Sequence, residues 1–205
     1  MTKSAATYRE KYPDSHHDTY SKTVFGFWLY LLSDFMLFAT LFATYAVLRN
    51  STFGGPSSHD LLHLPITLFQ TLILLCSSFT IGLTGAAAHR RNKSYTIAFA
   101  SITFLLGAVF LWMECIELSR LIAAGYGWQR SAFLSAFFTL IGTYGLHILF
   151  GLLWIAILIL PVCFSGVTPV SIKRLTCLRM FWQFLNIIWV FIFTIVYLMG
   201  VIVYD

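Results

Sequence analysis

The stretch "TVFGFWLYLLSDFMLFATLFATYAVL" (23–48) decides the class of fold, because in 26 residues it carries one charged side chain, Asp34. A helix rises about 1.5 Å per residue, so roughly 20 apolar residues cross the hydrocarbon core of a bilayer. Working outward, four more stretches are long and apolar enough: about 65–88, 96–118, 132–160 and 178–203. Pro65 stands at the start of the second, where its missing N–H costs little. The connections are short and rich in turn residues.

Composition agrees. Of the 205 residues 59% are hydrophobic and 10% charged, against about 25% charged in a soluble domain, and the mean hydropathy is +0.80. The expected fold is an all-α integral membrane protein with five transmembrane helices. Residues 24–205 form the membrane domain, and residues 1–23 form a polar tail without the apolar core of a signal peptide. The tail pair His16-His17 reads as solvated, since no further ligands stand at zinc-like spacing. The net charge of +5 is spread over connections, with no basic face for nucleic acid. Cys76, Cys115, Cys163 and Cys177 form no CxxC pair, so neither a disulfide framework nor a zinc site is expected.

Orientation follows from Lys and Arg. The tail, the second connection and the fourth connection with Arg179 hold 10 of the 13 basic residues. Arg49, Arg120 and Arg130 fall on the other side. The N-terminus is therefore expected in the cytoplasm and the C-terminus outside. Small residues at spacing four, such as Ala39/Ala43, and "GLTGAAA" (82–88) offer surfaces for close helix packing.

Polar groups in hydrocarbon face protein or water. Asp34 lies roughly 15 Å into its helix at ~1.5 Å per residue. It reads either as a proton-exchanging carboxyl or as a protonated acid bonded to a neighbouring helix or lipid headgroup. Glu114, Glu117 and Arg120 share one helix face at spacing three. Glu117 and Arg120 read as an interfacial pair and Glu114 as the deeper, buried member. His147 is the one histidine well inside a span, with Tyr144 three residues before it. Arg179, Gln183 and Asn186 make a polar stripe on the last helix that can bridge helices. A bis-histidine haem or a haem–copper centre needs more histidines than His147 alone. No phosphate loop, dinucleotide fingerprint or nucleophile elbow is present. No catalytic, cofactor or metal residue is therefore assigned in this chain.

The order of motifs is informative. The stretch 23–48, "SAFLSAFFTLIGTYGLH" (131–147) with "GLLW" (151–154), and "FWQFLNIIWVFIFTIVYLMG" (181–200) resemble subunit III of the haem–copper oxidases. Five helices and the "KTVFGFW" start resemble most the bo-type ubiquinol oxidase branch. The resemblance covers about 22–203. It implies a non-catalytic accessory subunit of a proton-pumping terminal oxidase in a bacterial inner membrane. Subunit I would hold haem and copper and make the main contact, with subunits II and IV beside it, and ubiquinol would feed the complex. It also implies bound phospholipid and an influence on oxygen or proton supply. Asp34, Glu114 and His147 match family polar positions.

Two departures stand out. The family pattern "H-G-L-H" reads Tyr144-Gly145-Leu146-His147, and "W-H-F-x-D-x-x-W" reads Trp182-Gln183-Phe184-Leu185-Asn186-Ile187-Ile188-Trp189. The amides keep hydrogen bonding and lose titration near neutral pH, and if the changes are coupled they replace a former His–carboxylate contact. Subunit III of a cytochrome c oxidase is the alternative. An independent transporter is a third reading, and the absence of repeats and broken helices opposes it.

Overall fold

In hydrocarbon only helices or closed barrels satisfy every backbone group, and each apolar stretch of this chain is helical. The computed structural model describes residues 15–52 and 64–202. Its helices are α1 (Ser15–Leu48), α2 (Leu64–His89), α3 (Lys93–Ala123), α4 (Ala132–Ser165) and α5 (Pro169–Ile192). A π-helical turn (Phe193–Leu198) and α6 (Met199–Ile202) continue from α5. Among the described residues five helices are long and apolar enough to cross a membrane. The tail to residue 14, most of the first connection and the side chains of His16 and His17 lie outside the described residues.

The helix ends differ from the expected spans, for local reasons. α5 begins at Pro169 rather than near 178, because the Thr168 hydroxyl accepts from Ser171 N–H and proline fits the first turn. α4 is capped by Ser131, whose hydroxyl accepts from Leu134 N–H at 3.1 Å. α1 begins at Ser15, so part of the polar segment before residue 24 is helical.

The described residues fall into two compact units, divided between Met36 and Leu37. The first holds α1 as far as Met36, with Phe25, Trp28, Leu32 and Met36 exposed.

Within the second unit the buried seam is polar. α2 buries Thr67, Gln70, Leu74, Ser77, Ile81, Thr84 and Ala88. α3 buries Thr96, Ala100, Thr103, Gly107, Phe110, Glu114 and Leu121. These positions recur every three or four residues, the seam spacing of paired helices. The two helices are antiparallel: Gln70 meets Glu114 at 3.2 Å and Thr80 meets Thr103 at 2.8 Å. α5 runs against α2 in the same way. Trp189 Nε1 donates to the Thr71 hydroxyl at 2.9 Å, Trp182 Nε1 to the Ser77 hydroxyl at 2.6 Å, and the Ser78 hydroxyl to Gln183 Oε1 at 2.9 Å.

Trp182 is fully buried and lies between two glycines. A Cβ at Gly107 on α3 would stand 2.8 Å from its ring, and one at Gly151 on α4 would stand 2.9 Å from it. Trp189 stacks edge-on with Phe110 at 4.7 Å and lies 5.2 Å from the Tyr144 ring. Phe38, on the C-terminal part of α1, packs against Tyr144 and Phe184 at 6.4 Å each. Large apolar side chains such as Phe79, Trp112, Phe150 and Ile157 point outward, as lipid-facing surfaces do.

Gly107→Ala and Gly151→Ala are expected to destabilise the bundle by about 1–3 kcal/mol each, the usual cost of overpacking. Gly142→Ala, where nothing lies within 4 Å, is expected to be near neutral. Thermal unfolding of the detergent-solubilised protein checks this, and equal melting temperatures for all three variants would refute the clamp.

Two helix ends make a second comparison. At the end of α2, Asn92 N–H bonds Ala87 C=O and Arg91 N–H bonds Ala88 C=O; at the end of α3, Tyr126 bonds Leu121 and Gly125 bonds Ile122. Both are Schellman ends. The left-handed residue is Gly125 at φ 80° in one and Arg91 at φ 54° in the other. Arg91→Gly is expected to stabilise the fold, and Gly125→Ala to destabilise it, each by about 1 kcal/mol. Shifts of the same sign in chemical or thermal unfolding would contradict this assignment.

Candidate functional site

Four polar places were expected from the sequence, and the structure gives each a different setting. The most enclosed is at Glu114. The antiparallel order of the helices brings the start of α2, the end of α3 and the end of the last span to one end of the bundle. Gln70 Nε2 donates to Glu114 Oε2 at 3.2 Å. Glu117, one turn further on, lies within electrostatic reach of Glu114 and beside Gln70 and Arg120. The Tyr197 phenol lies in reach of both carboxyls and of Tyr45, and Tyr144 in reach of Glu114.

The π turn has a geometric role here. At about 100° per residue, eight residues of α-helix after Trp189 would leave Tyr197 roughly 80° off its face. The wider turn over Phe193–Leu198 brings the two rings to 6.2 Å, both fully buried. Such turns often mark functional sites.

His147 is half-buried on α4. Its Nδ1 lies 2.8 Å from Thr143 C=O; a carbonyl only accepts, so Nδ1 carries the hydrogen. Its ring packs on Phe38 at 5.1 Å. Tyr144, standing where the family pattern has histidine, donates its hydroxyl to Leu185 C=O at 3.3 Å and so ties α4 to α5.

Asp34 belongs to the first unit. It is buried, with Tyr30 one turn before it in electrostatic reach. The expected stripe of Arg179, Gln183 and Asn186 divides. The Arg179 guanidinium lies over Gly85, 3.0 Å from where a Cβ would stand. Gln183 is exposed and bonds Ser78, beside an open groove lined by Leu75, Phe79, Gly82 and Leu83. Asn186 is buried and donates to Trp182 C=O of its own helix at 2.9 Å. The two amides thus bond different partners, one on α2 and one on their own helix.

Sequence reading passed over Gln70, Tyr197 and the hydroxyls of Thr71 and Ser77. The signal was present: Thr67, Gln70, Ser77 and Thr84 repeat at the seam spacing of α2. Among the described residues no three of His, Cys, Asp and Glu come together as a metal-ligand set, and the four cysteines are free.

Comparison with known proteins fits this arrangement. The chain matches the family described as "Cytochrome c oxidase subunit III" over residues 6–201. It is 52% identical to the cytochrome bo(3) ubiquinol oxidase subunit 3 of Pseudomonas aeruginosa, over 91% of this chain and 90% of that one. The Pseudomonas putida protein of the same description is 48% identical over 91% and 90%. A cytochrome c oxidase subunit 3 from Bacillus sp. (strain PS3) is 42% identical over 86% of both. A five-span helical membrane chain with this order of motifs, matched almost from end to end, belongs to the cytochrome c oxidase subunit III family.

Proposed function

We propose that this chain is the accessory subunit III of a proton-pumping terminal oxidase fed by ubiquinol. The carrying observation is the 52% identity to a cytochrome bo(3) ubiquinol oxidase subunit 3 over nine-tenths of both chains. The chain is a multi-pass protein of a bacterial inner membrane. Its residue chemistry supports an accessory role in the respiratory complex: one deep imidazole cannot ligate a bis-histidine haem. Haem and copper belong on this reading to subunit I, with subunits II and IV completing the assembly and phospholipid bound against the helices. Subunit I performs the quinol–oxygen reaction, and this chain stabilises it.

The distribution of Lys and Arg supports a cytoplasmic N-terminus and polar tail and an external C-terminus. Asp34, Glu114 and His147 are the polar positions for packing, lipid or proton supply. The Ser78–Gln183 pair at mid-length of α2 is set too deep for lipid headgroups, which supports a protein neighbour there. Subunit 3 of a cytochrome c oxidase is the second reading, favoured by the 42% identity to the Bacillus relative.

Purification of the tagged chain in mild detergent is expected to recover a larger haem-bearing partner and quinol-dependent oxygen uptake. Uptake supported by cytochrome c and not by quinol would select the second reading, and a chain purified without haem or partner would remove both. Asp34→Asn is expected to assemble fully and to yield a complex with lower or shorter-lived turnover. Lost assembly would assign Asp34 to packing, and unchanged turnover and lifetime would take it out of the mechanism.

A further inference from the structure

The Glu114 cluster holds more acceptors than donors. Glu114 Oε1, both Glu117 carboxyl oxygens, Gln70 Oε1 and the Tyr197 hydroxyl have no protein hydrogen-bond partner among the described residues. Gln70, Glu114 and Tyr197 are 0%, 1% and 0% exposed, so bulk water does not serve them. The hydrogens at hand are the second amide hydrogen of Gln70 and the Tyr197 hydroxyl hydrogen, while each carboxylate or amide oxygen offers two lone pairs. Native proteins leave few buried polar atoms unserved, and those few call for water, a proton or an ion.

Charged and titratable neighbours come from four of the packed elements. They are Tyr45 on α1, Glu117 and Arg120 on α3, Tyr144 on α4, and Tyr197 on the π turn. Among the described residues the cation in reach is Arg120, which is exposed and acts at Glu117. Two ionised carboxylates one turn apart would leave a negative charge uncompensated inside the bundle, which hydrocarbon strongly disfavours.

We propose that Glu114, Glu117, Gln70 and Tyr197 form an internal site for water that holds one proton between the two carboxyls. The proton turns an acceptor into a donor and removes one charge. Water then serves the remaining oxygens, since a buried water needs two to four polar partners and five unpartnered oxygens stand here. A hard cation fits less well. Calcium takes six to eight oxygen ligands, and magnesium demands an octahedron and gives up water reluctantly. The π turn that brings Tyr197 onto this face supports a built site rather than a packing defect. The proposal goes beyond the accessory role and holds whichever donor feeds the complex.

Infrared difference spectroscopy on the whole purified complex, in H2O and D2O, tests this. Wild type is expected to show one protonated-carboxyl band that D2O shifts and that E114Q lacks, because the new amide supplies the hydrogen the proton supplied. Y197F is expected to keep that band at a shifted frequency. If E114Q fails to assemble, Y197F alone decides: a shifted band supports the site and an unmoved one overturns it. Identical protonated-carboxyl regions in wild type and E114Q, or one metal ion per complex that E114Q loses, would also overturn it.

Discussion

The helical packing depends on one side chain, the indole of Trp182. Its ring fills the space left by Gly107 on α3 and Gly151 on α4, and its N–H is held by Ser77 on α2. Four helices therefore meet at one residue. In a membrane this matters more than in water, because lipid tails are as apolar as leucine and burial alone gives helices no reason to associate. Shape fit and hydrogen bonds must do it, and Trp182 supplies both. Trp189 repeats the device two turns on, with Thr71 as acceptor and Phe110 packed perpendicular to it.

This explains an inverted polarity. Thr67, Gln70, Ser77 and Thr84 line the inner face of α2, while Phe69, Leu72, Phe79 and other large apolar groups face outward. Many hydroxyls also bond carbonyls of their own helix, as Thr84 does to Thr80 and Thr103 to Phe99. No polar group needs a partner from lipid where a helix neighbour or its own backbone serves. The polar seam is thus both the glue of the bundle and the place where chemistry can be hidden.

The five spans were legible in the sequence because length and hydropathy decide them. Glu114 was legible because a carboxyl at that depth is costly wherever it stands. Its surroundings were not. Gln70 is distant in sequence and becomes a neighbour through the register of α2 against α3, which hydropathy does not encode. Tyr197 was harder still, since α-helical periodicity turns it away from the seam and only the π turn returns it. The early start of α5 was hidden by the polar run "SIKR", which reads as a loop until Thr168 and Pro169 are recognised as a cap and first turn. The stripe on α5 was legible as a spacing but not in its partners: Gln183 accepts from Ser78 on α2, and Asn186 bonds its own backbone.

The departures from the family pattern then fall into place as packing changes. Tyr144 crosses to the Leu185 carbonyl, Gln183 crosses to Ser78, and Asn186 ties back to Trp182. Each replaces a titrating side chain of the pattern with one that bonds without a charge change near neutral pH. Where α4 and α5 meet, a phenol and two amides thus stand in place of titrating groups, while α3 carries Glu114 and Glu117. The carboxyls of Glu114 and Glu117 stand instead at one end of the polar seam, where the packing of α2 on α3 itself brings Gln70 to Glu114.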